Sequence, residues 1–378
     1  MGAQKGTFLT RMKNSLGALA MPLVALGVLL LFNLVRCAVI GNFRFFAINI
    51  ATDDKGSVLS GNLISIIDSA STLVILAMGM TLVTASCGGQ DISVGAVGAI
   101  AGAFFVIMMH PHKEEAGLST LTNVAWPNVI LGIVVAIFVA VIFCLFNGTL
   151  VAYFKIQPMI ATLILFSCGR SIAYYFLFQV LKVGSIKLDD PIIFSIGKAI
   201  PGIPIPTSIF VVILMGLLMF LIFKLTNLRL YTQSVGINQK AAQLNGINPI
   251  VVKLLSFVVL GVCVAVAAVV KTTNLGTLTT KSLMDSIEMD AILAVAIGGN
   301  NLGGGKFRLG GSILGAYTIQ TLTTTLNAME VSSDSMKFYK AIVIIVIMAV
   351  GSPVVKNWIL SLSSKIRTIR AARLKEVE

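Results

Sequence analysis

The chain has 378 residues, of which 57% are hydrophobic and only 11% charged, and its formal net charge is +13. A soluble domain carries about 25% charged residues, so this balance, with a mean hydropathy of +0.96, excludes a soluble globular domain and indicates an all-α polytopic membrane protein. In a soluble protein the positive charge would suggest nucleic acid; here it reads as Lys and Arg holding loops on the cytoplasmic side, and no nucleic-acid partner is expected.

A span needs roughly 20 apolar residues. Taken in order, the apolar runs predict ten spans: Leu16 to Val35, Leu63 to Ala85, Ile92 to Met109, Ala125 to Phe146, Pro158 to Val180, Thr207 to Phe223, Ile250 to Val270, Met289 to Gly299, Ile313 to Leu326 and Ala341 to Val355. The third is short and rich in Gly and Ala, and the eighth is too short to cross alone as a regular helix. This gives a cytoplasmic N-terminal segment (1–15), one membrane domain (16–355) with a large loop at about 224–253, and a basic tail (356–378). The first apolar run is too long for the core of a cleavable signal and reads as a span.

Loop charges support the count. Lys5, Arg11 and Lys13, then Lys155, then Lys224, Arg229, Lys240 and Lys253, then Lys306 and Arg308, then the tail from Lys356 all fall on one side. The alternate loops carry Asp53, Asp54, Glu114, Glu115, Asp189, Asp190, Asp285, Glu288, Glu330 and Asp334. Both termini are then cytoplasmic. One external loop, Lys182 to Pro206, holds four prolines and is expected to be an ordered, non-helical cover.

Few residues offer covalent chemistry. His110 and His112 share a loop without further metal ligands nearby, and the five cysteines are scattered with no CxxC pair. There is no GxSxG elbow. Asn300 to Phe307 superficially resembles a phosphate loop, but GxxxxGK[ST] would need Gly at Asn300 and Ser or Thr at Phe307. No catalytic residue, bound cofactor or metal is expected, and ATP hydrolysis in this chain is not.

Polar groups at membrane depth are costly and so are functional candidates. Arg170 lies about 12 residues into the fifth span, near mid-bilayer at 1.5 Å per residue. Asp68 lies in the second span, and the two form a candidate ion pair or register lock. Gly88-Gly89 interrupts a helix that Gln90-Asp91-Ile92-Ser93 restarts, with Asp91 or Ser93 as N-cap; Gly298-Gly299-Asn300-Asn301-Leu302 looks similar, which opens the question of an internal repeat. Broken helices at such depth either line a water-filled path or let helices pack closely. On the first reading Gly88, Gly89, Gln90, Asp91, Ser93, Asn300 and Asn301 are candidate pathway residues. In the large basic loop, Asn238 is a candidate N-cap for a short helix through Leu244, Gly246 suits the left-handed position after it, and Pro249 the first turn of the next span.

These motifs together resemble a family. Gly79-Met80-Thr81-Leu82-Val83, then Gly88 to Gly95, resembles the permease subunits of bacterial ABC monosaccharide importers of the ribose type. Asn147-Gly148, Lys155 to Leu163 and Arg170, then Val235 to Asn238 with Ala241-Ala242 and Gly246-Ile247, and finally Asp290 to Ile292 with Gly298-Gly299 and Gly304 to Lys306, extend the resemblance from about Ser60 to Val355. The wording from Lys155 to Leu165 is similar to galactofuranose-type permeases. The chain departs from the pattern at Gln90, Ser171, Asn300, Asn301 and Phe307. The resemblance implies a coupling helix with Gly236, Asn238, Ala241, Ala242, Gly246 and Ile247 as the residues meeting the ATPase. It implies a second permease subunit, identical or not, a separate ATP-binding subunit holding ATP and Mg, an external solute-binding protein, and a bacterial inner membrane. The implied substrate is a pentose or hexose, furanoses included. A nucleoside, an autoinducer or a branched-chain amino acid is the alternative within the class, an ion-coupled carrier the alternative outside it.

Overall fold

The computed structural model describes residues 2–41, 43–53, 56–110, 120–200, 202–280 and 282–351. His112, Glu114, Glu115 and the basic tail from Lys356 lie outside the described residues. The helices in chain order are α1 (Gly2–Ile40), α2 (Asn62–Cys87), α3 (Val94–Met109), α4 (Trp126–Ala152), α5 (Pro158–Leu181), α6 (Pro191–Gly197), α7 (Thr207–Leu225), α8 (Leu228–Ile237), α9 (Gln239–Leu244), α10 (Pro249–Leu275), α11 (Ile287–Ile297), α12 (Leu309–Ala328) and α13 (Ser333–Gly351). Each of the ten expected spans coincides with one of these, and α1 runs on through most of the expected N-terminal segment. The fold is all-α and polytopic.

Among the described residues six helices are long and apolar enough to cross a membrane by themselves: α1 from Leu19, α2, α4, α5, α7 and α10. The two shortest expected spans are short for a reason visible in their packing. α3 has 16 residues, about 24 Å, and almost all of it is buried. A helix surrounded by protein need not match the thickness of hydrocarbon around it. Its glycines admit a segment that returns into the bundle ahead of α11. Leu283 lies against Gly102, Met284 against Gly98 and Glu288 against Gly95. The 11-residue α11, about 16 Å long, therefore starts well inside the bundle, and non-helical chain supplies the missing length.

α10 packs on α2 and α4, and α3 on α4 and α5. A Cβ at Gly261 of α10 would sit 2.8 Å from the Val141 Cα of α4, and one at Gly79 of α2 would sit 3.0 Å from the Cys263 Cβ. Small residues thus let backbones close on one another where hydrophobic transfer gives little drive. α7 is mostly exposed and apolar, with Ile213, Leu214, Leu217 and Phe220 facing outward.

One end of the bundle is closed by a three-stranded sheet, β3 (Thr120–Leu121), β4 (Ser185–Leu188) and β5 (Thr277–Thr279), preceded in the chain by the hairpin β1 (Asn49–Asp53) and β2 (Gly56–Ser60). β4 pairs parallel to β3 and antiparallel to β5. The chain ends of α3, α5 and α10 therefore lie together, as the charge alternation requires. The loop expected to be non-helical differs: it holds β4 and the seven-residue α6. Pro191 occupies the first helical position, where it needs no N–H, and Asp190 caps the helix by accepting Ile192 N at 2.8 Å and Val124 N at 2.9 Å. The chain divides at Thr324 into two compact units. α13 belongs to the second.

Candidate functional site

At the end of the bundle away from the sheet, the chain from Leu228 to Asn248 forms an elbow of two helices. α9 is the helix the sequence marked. The Asn238 side chain accepts Ala241 N at 3.0 Å, and Gly246 takes a positive φ of 79° after the helix ends. Asn248 then caps α10 through Ile250 N at 3.0 Å. α8 was not expected, although Leu228, Thr232 and Val235 are buried at helical spacing and carried that signal. Val235, Ala242 and Val252 pack into a small core with Ile247 against it, and Lys253 Nζ donates to Gln239 Oε1 at 3.1 Å. The elbow is thereby fixed to the start of α10. Ala241 is exposed, and Leu244 is 89% exposed.

Behind the elbow three backbones meet. Gly305 N donates to Ala85 O at 3.0 Å, joining the loop after α11 to the last turn of α2. A Cβ at Gly236 would collide with Ala85 O and stand 2.6 Å from Gly305 N. A Cβ at Gly88 would meet Gly303 O at 2.8 Å, and one at Gly304 would meet Gly88 Cα at 2.9 Å. The end of α8, the end of α2 and the glycine loop 303–305 are in direct main-chain contact.

The polar residues of the two glycine stretches turn inward. Gln90, Asp91, Ser93 and Asn300 are buried. Asp91 Oδ1 accepts Ser93 N at 2.7 Å and the Ser93 hydroxyl at 2.6 Å; Asn147 Nδ2 donates to Ser93 Oγ at 2.9 Å; and Ile92 N donates to Thr162 Oγ1 at 3.1 Å. This ties the α2–α3 junction to α4 and α5, while Gly89 lies against the Pro158 ring. Ser93 stands at the N-cap position of α3 but makes no side-chain cap, because its hydroxyl is committed to Asp91. Gln90 Nε2 donates to Leu302 O at 3.2 Å, stitching one glycine stretch to the other. Asn300 accepts Arg308 N at 2.7 Å and donates to Ser312 Oγ at 2.8 Å, which lies 2.7 Å from Thr81 Oγ1. Asn301 is exposed, with its amide spent on Gly303 N and Gly304 O. In this conformation their hydrogen-bonding groups hold helix junctions together.

The pairing of Asp68 with Arg170 is corrected as well. Arg170 donates to Met284 O at 3.1 Å and stands 3.5 Å from Glu288 Oε2 and 3.7 Å from Asp285 Oδ1. Glu288 is 2% exposed and Asp285 53%, so the cluster runs from the surface to a buried carboxylate where α3, α5 and the start of α11 meet. Asp68 instead accepts Asn274 Nδ2 on both oxygens, at 2.9 and 2.8 Å, and the Ser208 hydroxyl, linking α2, α10 and α7. Sequence reasoning placed Asp285 and Glu288 in an outer loop. The available signal was the shortness of the eighth span, which required the preceding segment to enter the bundle. Among the described residues no group of three His, Cys, Asp or Glu side chains is placed to hold a metal. His110 is buried at the end of α3.

A family profile described as "Branched-chain amino acid transport system / permease component" matches residues 62–351. The chain belongs to this permease family. Its relatives include the galactofuranose transporter permease protein YtfT of Escherichia coli (strain K12), 35% identical over 295 residues, or 78% of this chain and 80% of that one. The fructose import permease protein FruF of Bifidobacterium longum is 33% identical over 327 residues, covering 84% and 85%. The ribose import permease protein RbsC of Haemophilus influenzae is 31% identical over 286 residues, covering 75% and 83%. No solved structure matches. As a member of this family the protein is a multi-pass membrane permease.

Proposed function

We propose that this permease forms the translocation path of an ATP-driven importer for a monosaccharide. ATP is bound and hydrolysed by a separate subunit, a second permease copy or sister completes the path, and an external binding protein delivers the sugar. The relatives named for galactofuranose, fructose and ribose support the substrate class. The elbow end faces the cytoplasm of a bacterial inner membrane, with both termini on that side. The basic loops around Lys155, Lys224, Arg229, Lys240, Lys253, Lys306 and Arg308 support that orientation.

The observation that carries the reading is the main-chain contact of Gly236 with Ala85 and Gly305. The ATPase meets the exposed face of α9 at Ala241 and Leu244. Asn238 and Gly246 shape that helix, and Ala242 and Ile247 seat it on Val252 of α10. Closure of the ATPase moves the elbow, and Gly236 passes the movement to the ends of α2 and α11. The Asp91 and Asn300 networks keep those ends stiff enough to carry it. Inner and outer access can then alternate as helices shift against one another.

Reconstitution with the neighbouring ATPase and binding protein tests this. Uptake of labelled monosaccharide should require ATP inside the vesicle face bearing the ATPase and should survive collapse of ion gradients. Uptake without the ATPase, driven by a gradient, would overturn it. Uptake of branched-chain amino acids in place of sugar would keep the class and replace the substrate.

A further inference from the structure

A large cavity beside the start of the elbow lies where α1, α7 and the loop into α12 reach one boundary of the bundle. It encloses about 1250 Å³ between Leu19 of α1, the last turn of α7, the start of α8 and the loop leading into α12. Lys224, Arg229, Lys306 and Arg308 line it, and among the described residues no carboxylate does. Gathering Lys224, Arg229 and Lys306 at one cavity favours an anion there.

The cations are held in place by rings. Arg229 lies 5.9 Å over the Phe307 ring, and Lys224 lies 6.0 Å over Phe220. Phe307 is 4% exposed and meets Phe223 edge-on at 5.0 Å, so it forms a fixed platform. Phe307 is also one of the positions where the sequence departs from the family pattern. Leu19, Phe223 and Leu309 add apolar surface to the wall, beside the polar Gln233. One side of the cavity therefore suits phosphate oxygens and the other suits hydrocarbon.

We propose that this cavity binds the headgroup of an anionic phospholipid. Two observations favour lipid over a docked protein. The cavity opens beside α1 and α7, whose apolar segments are the least buried of the six self-sufficient spans, at 22% and 17%. The α9 residues, by contrast, line two other depressions beside Lys155 and none of them lines this one. Basic pockets between membrane helices at the headgroup level recognise anionic lipids by charge and by a nearby acyl path. The proposal requires only that the chain spans a membrane. A lipid seated there would bridge α1, α7 and the loop attached to the Gly304–Gly305 contact, and would stiffen the region that the elbow moves.

Native mass spectrometry of the purified full chain with added phosphatidylglycerol or phosphatidylcholine tests this. The wild type should retain phosphatidylglycerol in preference to phosphatidylcholine. The Lys224→Gln/Arg229→Gln/Lys306→Gln variant should bind it at least about tenfold more weakly. The same charge change at the sheet end, Lys182→Gln/Lys187→Gln/Lys198→Gln, should leave it unchanged. Equal loss in both variants would overturn the site, as would displacement of the lipid by inorganic phosphate alone, which would make it a free-anion site. Unchanged lipid binding with lost assembly onto the ATPase would reassign the cavity to a protein partner. Should the variant fail to fold, photoactivatable phosphatidylglycerol applied to the unaltered protein decides: labelling within 219–233 or 305–311 supports the proposal, and labelling confined elsewhere overturns it.

Discussion

Gly236→Ala separates two physical expectations of opposite sign. Gly236 ends a helix, and helix propensity alone predicts that Ala stabilises it by about 1 kcal/mol. The structure predicts destabilisation, because the new Cβ collides with Ala85 O and crowds Gly305 N at 2.6 Å. Overpacking of this kind costs about 1–3 kcal/mol. Pushing Gly305 away from Ala85 forfeits a main-chain hydrogen bond, which adds about 1 kcal/mol. Set against the propensity gain, the net loss is about 1–3 kcal/mol. Thermal unfolding of the detergent-purified protein, followed by loss of the monodisperse peak on size exclusion, should show a lower midpoint. Reconstituted uptake should fall further than stability explains, since the contact lies on the route of the movement. An unchanged or raised midpoint with normal uptake would refute the account of the three-backbone contact.

Arg170→Ala should destabilise by about 3 kcal/mol, because it leaves Glu288 buried without its cation; Glu288→Gln in the same chain should restore a good part of that, whereas Asp68→Asn combined with Arg170→Ala should be additive within about 0.5 kcal/mol. A double-mutant cycle on thermal or denaturant midpoints reads both. Asp91→Ala should cost about 2–3 kcal/mol by orphaning the buried Ser93 N–H and hydroxyl, and Asp91→Asn should cost less; equal losses would argue against the network. Asn238→Ala should cost about 1 kcal/mol as a lost N-cap, with uptake reduced at the temperature where α9 frays. Leu244→Asp should leave the midpoint nearly unchanged, as exposed positions do within about 0.5 kcal/mol, while pull-down of the ATPase fails; retained pull-down would remove Leu244 from the docking surface.

The local features of the elbow were legible because they rest on chemistry between neighbours in sequence. Asn238, Gly246 and Pro249 are each decided by backbone requirements a few residues wide. The spans were legible because hydrocarbon imposes length and polarity on each helix separately. Apart from α6 and α8, whose signals are local and were passed over, what sequence reading missed depends on what packs against what. Arg170 needed a partner, but choosing Glu288 over Asp68 requires knowing that Gly95, Gly98 and Gly102 admit the segment before α11. Gln90 bonds Leu302 O, 212 residues away, and no local pattern names such a partner.

The most direct test of the central claim is the ratio of substrate imported to ATP hydrolysed in vesicles carrying the assembled transporter, wild type against Ala241→Glu. Ala241 is exposed on α9, so the charge should not disturb insertion or folding. The account predicts that assembly or uptake is lost while the permease remains folded, with any residual ATP hydrolysis no longer matched by transport. A wild-type ratio in the Ala241→Glu transporter would show that the elbow is not where the force enters.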